Sequence, residues 1–154
     1  MSDQQWPNNV IEAIQRQVSQ FGRVGSTKIV AVPDVAAIAI SSFSQPQTVT
    51  FREPGVVIAM YGQELAGTAP KFASTRVRVQ VGGSEDLFTD GQSGVFLSML
   101  SLFGGAQNWF PIWRRASPAV RWVVTYQNLD AAATATPSAQ FGFIADADIA
   151  KYAR

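Results

Sequence analysis

Glu53 and Glu64 bracket an apolar run, residues 54–62, in a chain of 154 residues that holds no histidine and no cysteine. Two carboxylates a few ångströms apart could run glycoside hydrolysis, one as acid and one as base or nucleophile. Two isolated glutamates at the ends of a strand-like run are more simply solvated, and that is the reading adopted. Asp146 and Asp148 could share a cation weakly, but acidic residues also suit the first turn of a helix. The stretch "DLFTDGQSG" (86–94) has the look of a calcium loop. It lacks the alternating Asp ligands and the closing bidentate Glu, so it reads as a turn with Asp90 and Gly91 at its tip. Without His or Cys there is no Ser-His-Asp triad, no thiol nucleophile and no Cys/His zinc site. Neither glycine-rich phosphate-binding pattern occurs. No catalytic residue, cofactor or metal is therefore expected.

What remains to explain is "NWFPIWRRASPAVRW", residues 108–122. Three of the four tryptophans and three of the nine arginines fall there. The residue types suit stacking of single-stranded nucleic acid. They also suit a glycan platform, with Asn108 and Gln127 nearby, or a subunit interface, where Trp and Arg are common anchors. The plain alternative puts the tryptophans in the core and the arginines on its rim. Pro118 favours a turn and Pro111 an edge or bend. A hairpin turning at Ser117-Pro118 would set Trp113 opposite Trp122 and Arg114 opposite Arg121. The like-charged pair would need carboxylates, and Glu85, Asp86 and Asp90 are the local source. The interface candidates here are Trp109, Trp113, Arg114, Arg115, Arg121 and Trp122.

Composition narrows the choice. Charged residues make 15% of the chain and hydrophobic ones 47%. A soluble domain usually carries ~25% charged residues, so part of the surface is expected to be covered by other subunits, in a homo-oligomer. The net charge of +1 gives no strong field for nucleic acid, which argues against that partner. No run is long and apolar enough for a spanning helix. The polar start "MSDQQWPNN" does not read as a secretory signal.

The elements that must position these residues follow from periodicity. Residues 1–24 read as a helical arm capped by Asn8 or Asn9, with Val10, Ile11, Ile14, Val18 and Phe21 at helical spacing and Gly22 as a stop. Val10, Ile14, Val18 and Phe21 form a stripe that must dock, on its own domain or on a neighbour. From residue 25 to 154 the pattern is that of strands: 28–32, 35–43, 47–51, 54–62, 75–81, 120–127 and 138–145. In "TRVRVQV" (75–81), Val77, Val79 and Val81 point one way and Arg76, Arg78 and Gln80 the other. Residues 94–105 read as a short inserted helix, with a buried strand as the alternative. A helical turn is expected from Asp146. The expected fold is mainly β, an antiparallel β-sandwich or jelly-roll-like domain (25–154) with an N-terminal α-helix.

From about residue 72 to 145 the order of elements is an Arg/Val strand, "TDGQSG", an apolar segment ending "LFGG", "FPIWRRASPAVRWVVTYQNL" and "AQFGFIAD". In style this resembles the small β-sandwich accessory proteins of tailed-bacteriophage virions, such as capsid decoration, head-fibre and neck components. The resemblance implies a non-enzymatic, oligomeric role in the virion, with other virion subunits as partners. It transfers no individual residue. The alternative is a module for glycan or single-stranded nucleic acid that uses 108–122.

Overall fold

The computed structural model describes residues 28–64, 74–82, 85–88, 96–103 and 109–149. The expected N-terminal arm with Val10, Ile14, Val18 and Phe21 lies outside the described residues, as does the turn at Asp90-Gly91.

The described chain is mainly β, and its strands pair antiparallel throughout. They are β1 (Lys28–Ala31), β2 (Ser42–Phe43), β3 (Gln47–Val49), β4 (Gly55–Glu64), β5 (Thr75–Val81), β6 (Glu85–Asp86), β7 (Leu97–Ser98), β8 (Phe110–Ala116), β9 (Trp122–Asn128) and β10 (Pro137–Ala145). Short helices follow β7 and β10, at Met99–Phe103 and Asp146–Ile149. Within the segment 94–105 the short helix expected there is found at Met99–Phe103, preceded by two strand residues that are only half-buried.

One sheet runs β1-β10-β4-β8. The other runs β2-β9-β5-β6, with β3 also on β9 and β7 also on β5. The pairing is nested. β1 pairs with β10, β2 and β3 with β9, β4 with β8, and β5 with β6 and β7. The described strands therefore form one long double ribbon, with β1 lying on β10. Two further pairings, β10 with β4 and β9 with β5, roll that ribbon into two sheets.

The core forms where the sheets face each other. Val57, Met60, Phe141 and Phe143 come from one, and Val77, Val79, Trp122, Val124 and Tyr126 from the other. Trp122 meets Phe51 and Phe141 edge-on, with ring centroids 5.5 and 5.3 Å apart. The alternation in "TRVRVQV" is realised as expected, with Thr75, Val77, Val79 and Val81 buried. The apolar run 35–43 yields less than expected, only β2 and a lone bridge between Ile38 and Ala135. Buried Asn128 explains why. Its amide donates to the carbonyls of Ile38, Ala39 and Ala133 at 2.9–3.3 Å, holding that segment as a pinned loop.

The first sheet is bent. β4 advances from Val57 to Ala59 while β10 moves from Phe143 to Gly142 and β8 from Arg114 to Pro111. Such bulges put extra residues on one strand and sharpen the local twist. Gly55 lies near the start of this sheet, where a Cβ would strike the Ile144 carbonyl and the Phe143 ring.

Candidate subunit interface

The stretch 108–122 does not form the expected hairpin. The turn is where it was expected, with the Val120 amide donating to the Ser117 carbonyl at 3.1 Å. It carries the chain from one sheet to the other. β8 pairs with β4, and β9 pairs with β5 over seven residues and with β3. In the nested ribbon β8 takes the ten-residue β4 as its partner, and β9 lies between β5 on one side and β2 and β3 on the other. Trp113 therefore does not face Trp122, nor Arg114 face Arg121. Trp122 is fully buried between the sheets, whereas Trp113 keeps 37% of its surface exposed. Trp122 is thereby a core residue and takes no part in any surface platform of this stretch.

The arginines divide as well. Arg114 on β8 forms an ion pair with Glu85 on β6, tying an edge of one sheet to an edge of the other. The hydrogen bond from Arg114 holds the Glu85 carboxyl below the ordinary carboxylate range. Arg115 clasps Asp146 through both nitrogens, at 2.6 and 2.8 Å, and so anchors the helical turn after β10. Arg78 holds Asp86 in the same two-pronged way. Arg121 is exposed on the connection between the sheets. The sequence named the right acidic source for Arg114, although the expected like-charged pair does not exist.

Trp109 lies against Tyr61 with ring centroids 5.3 Å apart. Trp113 sits at the register shift with φ of 60°, a strained conformation for a bulky residue. Its strand is the last in its sheet, so Pro111 removes no ladder bond that a further strand would need.

Sequence reasoning missed other exposed apolar side chains. Phe43 on β2 is 59% exposed and Ile29 on β1 is 50% exposed, and both strands also end their sheets. Three sheet edges thus carry a large apolar residue beside backbone groups that another strand or chain could engage. Beside β1 runs a groove of about 650 Å³, lined by residues 28–31 and 50–53 and by Phe143. The Lys28–Glu53 ion pair, at 3.0 Å, lies on it. A count of apolar residues could not single out Phe43 or Ile29, because exposure depends on which strands end the sheets.

The carboxylates do no joint chemistry. Glu53 precedes β4 and Glu64 ends it, so they stand ~30 Å apart along an extended strand. A glycosidase pair needs ~5–9.5 Å. Glu53 is held by Lys28, and Glu64 accepts the Thr136 amide at 2.6 Å. Among the described residues no three acidic side chains converge as a metal site, and no helix is long and apolar enough to cross a membrane.

No protein-family model matches this chain, and no curated protein matches it.

Proposed function

We propose that the protein is a non-enzymatic structural subunit of a virus particle, with the bacteriophage virion as the setting that its sequence resemblance implies. It works as a jelly-roll β-sandwich whose sheet edges meet copies of the same chain. The nested pairing carries this reading. A double ribbon rolled into facing sheets in the orders β1-β10-β4-β8 and β2-β9-β5-β6 is the strand order of a jelly roll. That architecture is used in viral capsid and lectin domains. Exposed Trp113, Phe43 and Ile29 on the edge strands support the subunit role over the lectin role, because they offer apolar anchors at three separate rims. The low charge content supports it too. Capsid decoration, head-fibre and neck positions all fit such a subunit.

Sedimentation velocity and negative-stain microscopy of the purified full chain test the proposal. A discrete large oligomer is expected. Trp113→Ala and Phe43→Ser should shift it toward monomer with the strand signal in circular dichroism unchanged. Arg121→Ala should leave the fold intact and weaken assembly. A monomer at every concentration, with specific glycan binding lost in Trp113→Ala, would replace this reading by the lectin one.

A further inference from the structure

Among the described strands, every sheet edge but one is blunted. β8 carries Pro111, a register shift and Trp113 at φ of 60°. β6 has two residues, and both carboxylates are taken, Glu85 by Arg114 and Asp86 by Arg78. β7 has two residues and runs straight into a helix. β2 and β3 hold two and three residues and are parted by Pro46. Proline, bulges, charge and shortness are the devices that keep an edge from pairing. β1 has no proline and no bulge. Its register on β10 runs unbroken, and its one charge, Lys28, stands at the end, held by Glu53 at 3.0 Å. Lys28, Ile29 and Ala31 are exposed.

The pairing also tells which backbone groups are free. The Val32 amide donates to the Ala139 carbonyl at 3.0 Å, one step beyond the register of Ala31 with Gln140. The amides and carbonyls of Lys28, Val30 and Val32 therefore face β10, and those of Ile29 and Ala31 face away from it. The side chains of Lys28 and Val30 share the face of Phe143 and Phe141, and Val30 packs against the core. The groove of about 650 Å³ lies against this edge.

We infer that β1 pairs with β1 of a second copy, antiparallel, about a two-fold axis perpendicular to the sheet beside Val30. This rests on the reading of the chain as a subunit that meets its own copies, and adds the edge, the register and the symmetry. The free groups sit two positions apart. A two-fold at the residue between them sets Ile29 opposite Ala31 of the second copy, and Ala31 opposite its Ile29, so each pair exchanges both N–H···O bonds. The strand is thus its own complement. Val30 meets Val30 of the second copy with Cα atoms about 4.5 Å apart, which carries the core across the join. The groove leaves room for the core-side side chains of the incoming strand, and the contact covers half-exposed Ile29. Charge selects the antiparallel sense. It keeps the two Lys28 residues about 14 Å apart along the strands, whereas parallel pairing in register would set them side by side. Closed two-fold contacts of this kind are the commonest in homo-oligomers.

The chain has no cysteine, so introduced thiols report contact without background. Val30→Cys and Lys28→Cys are made singly in the full chain and oxidised, and the products are resolved by mass. Val30→Cys should link two chains, and Lys28→Cys should stay unlinked. Ala31→Pro removes an amide that faces away from β10, so it should leave the strand signal in circular dichroism intact and at least halve the mass of the species in sedimentation velocity. If it disturbs the strand signal, the contrast between the two thiol variants decides alone. A large oligomer in which Val30→Cys links no more than Lys28→Cys, or whose mass Ala31→Pro leaves unchanged with the fold intact, would overturn the inference and leave the subunit reading standing. A monomer at every concentration would overturn both.

Discussion

In the β2-β9-β5-β6 sheet, burial alternates residue by residue along β5 and β9. In the β1-β10-β4-β8 sheet, the two central strands are buried at consecutive positions. The chemistry matches. The outward positions of β5 and β9 hold Arg76, Arg78, Gln80, Val123, Thr125 and Gln127, largely polar. The corresponding positions of β4 and β10 include Val56, Ile58 and Ile144. An antiparallel sheet with one wet face reads as alternation, and one that is dry on both faces reads as a continuous apolar run. The two halves of one ribbon thus differ. One presents a largely polar outer surface, and the other buries apolar side chains on both faces of its central strands.

Matched charge substitutions break the comparison most directly. Ile58→Asp should cost about 5 kcal/mol or more, through lost burial plus an unpaired buried charge. Val123→Asp on the outer face of the other sheet should cost about 1 kcal/mol or less. Urea titrations of the two variants check this, and equal losses would dissolve the distinction. On the shared inner face, Trp122→Ala should cost ~3–5 kcal/mol by the same measurement. Trp113→Ala should change stability far less and should act on assembly instead.

Gly55→Ala should destabilise by about 1–3 kcal/mol, since its new methyl meets backbone at the Ile144 carbonyl. Gly62→Ala should also destabilise in the same titration, since its Cβ meets the buried Phe103 ring and the end of Met99.

Smaller effects come from titration. Burial raises the Tyr126 phenol above its ordinary value, and the charge of Asp34 adds to the shift. The folded chain then keeps a proton that the unfolded chain releases near pH ~10. Stability should be level through neutral pH and fall as pH rises past that value. Tyr126→Phe should flatten the alkaline limb. It should cost little at neutral pH, because the hydroxyl is buried with no hydrogen-bond partner among the described residues. On the acid side, the lowered Glu85 contributes stability that is present at neutral pH and lost as pH falls through its folded value. Glu85→Gln should remove that small acid dependence in thermal melts read between pH 2 and 6.

By itself the sequence determined most strand positions and their faces. "TRVRVQV" reads as a half-wet strand and "PGVVIAMYG" as a buried one, because side-chain direction has a period of two and needs no partner to be read. It also determined the turn at Ser117-Pro118 and the helical turn at Asp146, since Pro and an acidic cap act within a few residues. The tertiary structure alone decided which strands pair. Residues 110–128 carry two strands and a turn, and local chemistry suits a hairpin as well as a crossover between sheets. Only the pairing of β8 with β4 and of β9 with β5, both distant in sequence, sends Trp122 inside and leaves Trp113 on an edge. Asn128 shows the same limit. Its amide meets carbonyls of Ile38 and Ala39 about ninety residues away, and no local pattern marks it as the pin of that loop. Short-range periodicity fixes which way a side chain points, whereas what lies there depends on contacts across the whole ribbon.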